Sequence, residues 1–137
     1  MKTDNKRSFE ILSKIAEDTQ KRGDFEGFAQ AHKDMANILN EEENYQDEIR
    51  SRILAYYFDA SGISCFAYID KENIYGIETA MKKGEISEEY LKRIYFDIIR
   101  KDTAPKHTMT VNGSYKLLLR CIRRQWGDAN RILFNLK

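Results

Sequence analysis

Apolar residues recur every three or four positions along most of this chain, with polar residues between them. That spacing places the apolar side chains on one face of a helix, whereas a half-buried strand would show them at every second position. The helical stretches cover approximately residues 8–22, 25–39, 44–62, 73–83, 87–101, 114–126 and 128–136. The start of the fourth stretch is either Asp70 or Asn73. The pattern predicts an all-α, mostly helical chain of six or seven helices.

A Gly-Asp-aromatic sequence separates the first two helical stretches, in KRGDFEGF at 21–28. Gly23 can take the left-handed conformation in which many helices end. Asp24 can then accept hydrogen bonds from the free N–H groups at the start of the next helix. A similar pair, Asn44-Tyr45, occurs 20 residues later, before the third stretch. Both sites are predicted to be helix-to-helix turns that insert an aromatic side chain into the core.

Residues 9–42 resemble a tetratricopeptide-repeat helical hairpin in this turn and in the inward positions of the first helix. Leu12 and Ile15 stand at inward positions of that helix, and Ala16 stands at its small-residue position. Phe28 departs from the family pattern, which has a small residue there, and Asn40 stands where proline is usual. The resemblance implies a repeat-like three-helix unit over 8–62. Since such arrays need about three repeats, either residues 63–137 pack on the unit as a cap or a second copy covers it.

Two segments have more than one reading. Residues 63–70 (ISCFAYID) form a short apolar run that suits either a strand or a buried helical turn. Residues 102–113 contain the one proline of the chain and an Asn-Gly pair, and we expect a loop there. Asn-Gly is also a hairpin signal, so 107–119 could form two strands. Helical spacing from residue 114 onward favours a helix.

The length and composition suggest a single helical domain over 1–137. Of the 137 residues, 42% are apolar and 33% are charged, and no apolar run approaches the roughly 20 residues that span a bilayer. The N-terminal MKTDNKRSFEIL has no apolar signal segment. We therefore expect a cytoplasmic protein without membrane contact, in which Cys65 and Cys121 are free thiols.

Charge is unevenly distributed along the chain. Residues 1–48 carry 7 basic and 12 acidic side chains, whereas residues 100–137 carry 9 basic and 2 acidic ones. Four basic residues, Lys116, Arg120, Arg123 and Arg124, fall opposite an apolar stripe on the predicted helix 114–126. We favour a solvated face or one neutralised by the acidic N-terminal half. The alternative is a face that binds a nucleic acid or an acidic partner.

Candidate catalytic and metal-binding residues are few. His32, His107, Cys65 and Cys121 form no local pair with metal-ligand spacing, and the glycines form no phosphate-binding loop. No metal and no cofactor is predicted. Tyr56, Tyr57 and Phe58 are adjacent, so they point in directions about 100° apart on a helix. At least one of them is expected to meet another element, a partner or solvent, which makes Tyr56 and Tyr57 candidate protein-interaction residues.

These features favour a small non-catalytic protein-interaction or assembly protein whose partner and pathway the sequence does not identify. Incomplete repeat-like packing and the uneven charge favour a homo-oligomer, with a dimer as the expected state. The first alternative is a nucleic-acid-associated protein that uses the basic C-terminal helix. A further alternative is an enzyme whose site is assembled from scattered residues, for which a deep polar pocket at His32 or His107 would be the sign.

Overall fold

A computed structural model describes residues 1–62, 70–101 and 110–135 of the chain. Within those ranges it contains seven α-helices and no β-strand, which confirms the predicted all-α fold. The helices are α1 (Thr3–Arg22), α2 (Phe25–Glu41), α3 (Tyr45–Gly62), α4 (Lys71–Lys83), α5 (Glu88–Lys101), α6 (Val111–Ile122) and α7 (Trp126–Asn135). No helix among the described residues is long and apolar enough to cross a bilayer.

Three predicted helix boundaries were wrong. Helix α1 begins at Thr3 rather than near residue 8. Helix α6 begins at Val111, because the hydroxyl of Thr110 accepts a hydrogen bond from the backbone N–H of Gly113 at 2.9 Å and caps the helix. The Asn-Gly pair therefore lies in the first turn of a helix, not in a loop or hairpin. Trp126 begins α7 instead of ending α6. The ambiguous segment 63–69 and most of the predicted loop, 102–109, lie outside the described residues.

Four helix-to-helix connections share one backbone geometry. Each places a residue in the left-handed conformation just after the helix: Gly23 (φ 72°), Glu43 (φ 57°), Glu85 (φ 53°) and Arg124 (φ 59°). The next N–H bonds back to a carbonyl in the last turn, as from Asp24 to Thr19 at 2.8 Å. This is the Schellman motif, which satisfies carbonyls that the helix end leaves free. The predicted turn at Gly23 is confirmed, although three of the four turns achieve it without glycine.

Helix α3 is the centre of the fold. It packs against α2 on one side and against α4 and α5 on the other. Phe58 stacks on Phe28 of α2 with ring centroids 4.5 Å apart, while the Tyr56 hydroxyl donates to the carbonyl of Ser114 in α6 at 2.7 Å. Because α3 is enclosed by other helices, its consecutive aromatic residues can all be buried.

A tyrosine-serine contact joins α5 to α6 inside the core. Tyr95 is buried, and its hydroxyl lies 2.6 Å from the Ser114 hydroxyl, which in turn donates to the carbonyl of Val111 at 2.8 Å. Leu117 and Leu118 of α6 are buried around this contact. The polar groups satisfy one another, so Tyr95 can be buried without an orphaned hydroxyl.

Helix α1 is the most exposed of the three N-terminal helices. It packs mainly against α2, through buried Ala16 and Thr19. Ile15, predicted to face inward, is 43% exposed, and Ile11 is 54% exposed. The prediction for Ile15 was wrong because α1 packs mainly against one helix, α2, which covers only a narrow stripe of its surface. An open, mostly apolar groove beside α1 contains His32.

Candidate functional site

The four basic residues selected from the sequence do not share one helix face. Lys116 and Arg120 lie on α6, where Lys116 is exposed and Arg120 is half-buried. Arg123 and Arg124 lie in the turn between α6 and α7. The helix ends at Ile122, so its regular spacing does not extend to the two arginines. The predicted continuous basic helix face is therefore interrupted.

Carboxylates of α4 and α5 pair with the two arginines of the turn. Arg123 binds Glu88 through two contacts, Nη2 to Oε1 at 2.7 Å and Nε to Oε2 at 3.3 Å. This forked hydrogen bond lowers the pKa of Glu88 and raises the pKa of Arg123. Arg124 Nη2 lies 3.4 Å from Oε1 of Glu78. Neither carboxylate belongs to the acidic segment 1–48, which the sequence had suggested as the source of the neutralising charge.

An open cleft lies between α4 and the start of α7, and we call it the α4–α7 cleft. Its volume is about 340 Å³. Ile74, Cys121 and Trp126 form an apolar floor, and Lys71, Tyr75 and Arg124 stand at its rim. Tyr75 is 60% exposed, which makes it a large aromatic side chain held at the surface.

Two cations lie next to the aromatic rings of the α4–α7 cleft. Lys71 Nζ is 4.7 Å from the centre of the Trp126 ring, and Arg124 Cζ is 6.0 Å from the centre of the Tyr75 ring. Such contacts are worth about 0.5–1 kcal/mol at exposed sites, so a partner can displace them at small cost. Glu72 and Glu78 also line the cleft, which gives it charges of both signs around an apolar floor.

Tyr56 and Tyr57, the candidate interaction residues, are buried in this structure. Burial raises the pKa of both hydroxyls. Their neighbours are other elements of the same chain, one of the outcomes expected from the sequence. The α4–α7 cleft supplies exposed aromatic surface instead. Tyr75 was not selected from the sequence, because it follows the inward residue Ile74 and lies off the apolar stripe of its helix. An aromatic residue off the stripe is expected at the surface, and that position was the signal that could have identified Tyr75.

The described part of the chain shows no catalytic arrangement around its cysteine or histidine. Cys121 is buried, and burial raises its thiol pKa to about 11, which keeps the thiol protonated at neutral pH. His32 lines a mostly apolar groove rather than a deep polar pocket, and burial lowers its pKa to about 4. No group of three metal-ligating side chains occurs in the described ranges. Cys65 and His107 lie outside the described residues.

Comparison with known proteins identifies no relative of this chain. No protein-family model, curated protein or solved structure matches the chain.

Proposed function

We propose that this chain is a non-catalytic protein-interaction or assembly protein that holds a protein partner in the α4–α7 cleft. The observation that carries the proposal is the exposed Tyr75 beside the half-buried Trp126 in an open apolar cleft. Tyrosine, tryptophan and arginine dominate the energetics of protein interfaces, typically where an apolar centre is surrounded by a polar rim. Arg124 and Lys71 supply part of that rim.

The expected partner inserts an apolar side chain between Tyr75 and Trp126 and carries charged residues on either side. Its apolar group would cover the exposed ring of Tyr75 and the exposed part of Trp126. Its charged residues would meet the cations and carboxylates of the rim, which would select partners more than strengthen binding.

Site-specific photo-crosslinking in the native host tests this proposal. A photoreactive residue at position 75 is compared with one at position 90, because Tyr90 of α5 is also an exposed aromatic residue, at 37%. We expect a discrete protein adduct at position 75 that is absent at position 90. The yield of this adduct should fall when Arg124→Ala and Lys71→Ala are added, because the partner's charged residues lose their contacts at the rim. Equal labelling at both positions, or none at either, would refute the assignment to the α4–α7 cleft.

Self-association is a second part of the proposal. Helix α1 leaves Ile11 and Ile15 exposed one turn apart, and a second copy could cover them. Sedimentation equilibrium at micromolar concentrations should show a species twice the 16.1 kDa of the chain. Ile11→Gln with Ile15→Gln should return it to the monomer, whereas the matched pair Glu10→Gln with Lys14→Gln on exposed positions of the same helix should not. A wild-type protein found only at 16.1 kDa would remove this part. The tetratricopeptide resemblance and the cytoplasmic location stay predictions.

Nucleic-acid binding is the second candidate function, because proteins that bind single strands also use aromatic rings next to cationic side chains. The relevant groups are Tyr75 and Trp126 with Lys71 and Arg124. Binding of this kind would weaken steeply with salt as counterions are released. Replacing Arg120, Arg123 and Arg124 with Gln would abolish it. Because two of these arginines are already paired with carboxylates, we expect no binding and only a small loss of stability. A salt-sensitive complex that depends on these arginines would favour the nucleic-acid function instead.

A further inference from the structure

A second, small polar cleft lies between α2, α3 and the N-terminal end of α4, and it shares the lining residue Glu72 with the α4–α7 cleft. Its volume is about 150 Å³, enough for several water molecules or one small solute. Arg52 of α3 lines it together with Asp34 and Asn37 of α2 and Glu72 and Asn73 of α4. We call it the Arg52 cleft.

Arg52 is held in one position by partners from three helices. Its Nε donates to Oε2 of Glu48 at 2.8 Å, and this glutamate is only 1% exposed. Its Nη2 donates to the amide oxygen of Asn37 at 3.2 Å, and its Nη1 to that of Asn73 at 3.3 Å. Arg52 itself is 9% exposed. A guanidinium has five N–H groups, so these bonds leave N–H groups of Arg52 without an acceptor among the described residues.

Gly76 of α4 makes room for this arginine. A Cβ atom at position 76 would overlap the guanidinium of Arg52, so glycine allows α4 to approach this group closely. Apolar residues in place of a buried ion pair are often as stable or more stable, so stability alone does not explain the pair of Arg52 and Glu48. The pair holds the guanidinium of Arg52 in a fixed position at the wall of an open, polar cleft.

The opposite side of the cleft presents carboxylates. Oδ1 of Asp34 accepts a hydrogen bond from Gln30 at 3.0 Å, which orients the carboxylate, while its Oδ2 accepts none from the described residues. Glu72 adds a second, exposed carboxylate. Arg52 is balanced by Glu48, and Lys33 lies 2.9 Å from Asp70. The charge that remains is negative, and it stands beside the fixed N–H donors of Arg52.

We propose that the Arg52 cleft binds a small dipolar molecule that carries both a carboxylate and an ammonium group, the chemistry of a free α-amino acid. The carboxylate accepts hydrogen bonds from Arg52 and from the amide N–H groups of Asn37. The ammonium group donates to Asp34 and is attracted by Glu72. Because a guanidinium matches a carboxylate through two parallel N–H groups, and because it is already fixed here, binding requires little reorganisation of the protein.

Isothermal titration calorimetry of the wild-type protein with small amino acids tests the inference. The probes are glycine, L-alanine and L-serine, each compared with its C-terminal amide and its N-acetyl derivative. We expect at least one free amino acid to bind with a sub-millimolar dissociation constant. Both derivatives should bind about tenfold more weakly or worse, since each loses one charged partner. No binding by any of the three amino acids, or equal binding by the N-acetyl derivative, would overturn the proposal.

Variants of Asp34 connect binding to the cleft. Asp34→Asn keeps the side-chain shape and removes the negative charge, and we expect it to weaken the amino acid about tenfold or more. Asp47→Asn is the matched control, because Asp47 is an exposed carboxylate outside the cleft. Circular dichroism verifies that both variants fold. If one variant does not fold, the calorimetric comparison of amino acids and their derivatives on the wild-type protein still tests the proposal. Equal affinities for wild type and Asp34→Asn would place the binding site elsewhere and refute the assignment.

Discussion

Replacing His32 with phenylalanine should stabilise the protein, and by more at acidic pH than at neutral pH. The His32 ring packs against Phe28 in a tilted arrangement, with centroids 4.5 Å apart and an interplanar angle of 58°. Its Nδ1 is the buried side-chain polar atom without a hydrogen-bond partner in the described part of the chain. An unsatisfied buried polar atom costs about 1–3 kcal/mol. Phenylalanine removes that atom, keeps the aromatic contact, and can extend into the adjoining open groove.

The pH dependence follows from the protonation of the histidine. Burial lowers the pKa of His32 from 6.5 to about 4. Above pH 6.5 the imidazole is neutral in both the folded and the unfolded chain, and stability does not depend on it. As the pH falls below 6.5 the unfolded chain binds a proton that the folded chain does not, so stability is lost down to about pH 4. The whole interval corresponds to roughly 3 kcal/mol, of which about 2 kcal/mol is lost by pH 5.

Urea denaturation of wild type and His32→Phe at about pH 7.5 and about pH 5 measures both effects. We expect phenylalanine to raise the free energy of unfolding by about 1 kcal/mol or more at the higher pH. The difference should grow by about 2 kcal/mol at the lower pH. Other titrating groups, including His107 and the groove residue Glu17, are identical in both proteins and cancel. If the difference between the two proteins is the same at both pH values, the histidine is protonated in the folded state and the reasoning fails.

Five further substitutions test the turns, the core and a helix contact. Gly23→Ala should destabilise the protein by roughly 1 kcal/mol, and Glu43→Gly should stabilise it by roughly 0.5–1 kcal/mol. Both positions have a positive φ, which glycine adopts more easily than residues with a Cβ atom. Melting temperatures that both rise or both fall would refute this. Ser114→Ala should cost about 1–3 kcal/mol in urea denaturation, because it leaves a buried tyrosine hydroxyl without a partner; a change below 0.5 kcal/mol would count against that contact. Gly76→Ala should destabilise by about 1–2 kcal/mol through the clash with the guanidinium beneath it. Gly127→Ala is the control, because a Cβ atom there has no neighbour within 4 Å, and it should leave stability unchanged or raise it. Equal changes in the free energy of unfolding for Gly76→Ala and Gly127→Ala would exclude the clash.

The candidate sites were only partly predictable from the sequence. The arginines near the end of α6 could be identified from composition, but their partners Glu78 and Glu88 lie 46 and 35 positions away along the chain. Tyr75 gave no signal beyond its place next to Ile74. Arg52 and Asp34 belong to separate helices whose approach no local pattern specifies. Ion pairs and clefts of this kind depend on which helices become neighbours in space.

Local patterns alone determined the helices and several of their ends. Three- and four-residue spacing identifies a helix because it arises from the helix itself, and Gly23 with Asp24 identifies a turn because capping bonds span only a few residues. At Glu43, Glu85 and Arg124 the same turn forms without glycine, because the packing of the helices on either side imposes a conformation that the residue alone disfavours.

The tertiary structure alone decided which faces are covered. Ile15 repeats at helical spacing yet is exposed, since α1 packs mainly against α2, whereas Tyr56 and Phe58 are both buried, since α3 contacts α2, α4 and α5. An apolar side chain favours burial, but the number and position of the neighbouring helices determine whether it is buried. The exposed Tyr75 and the buried Arg52 are two further outcomes of that arrangement, and they lie at the two proposed binding sites.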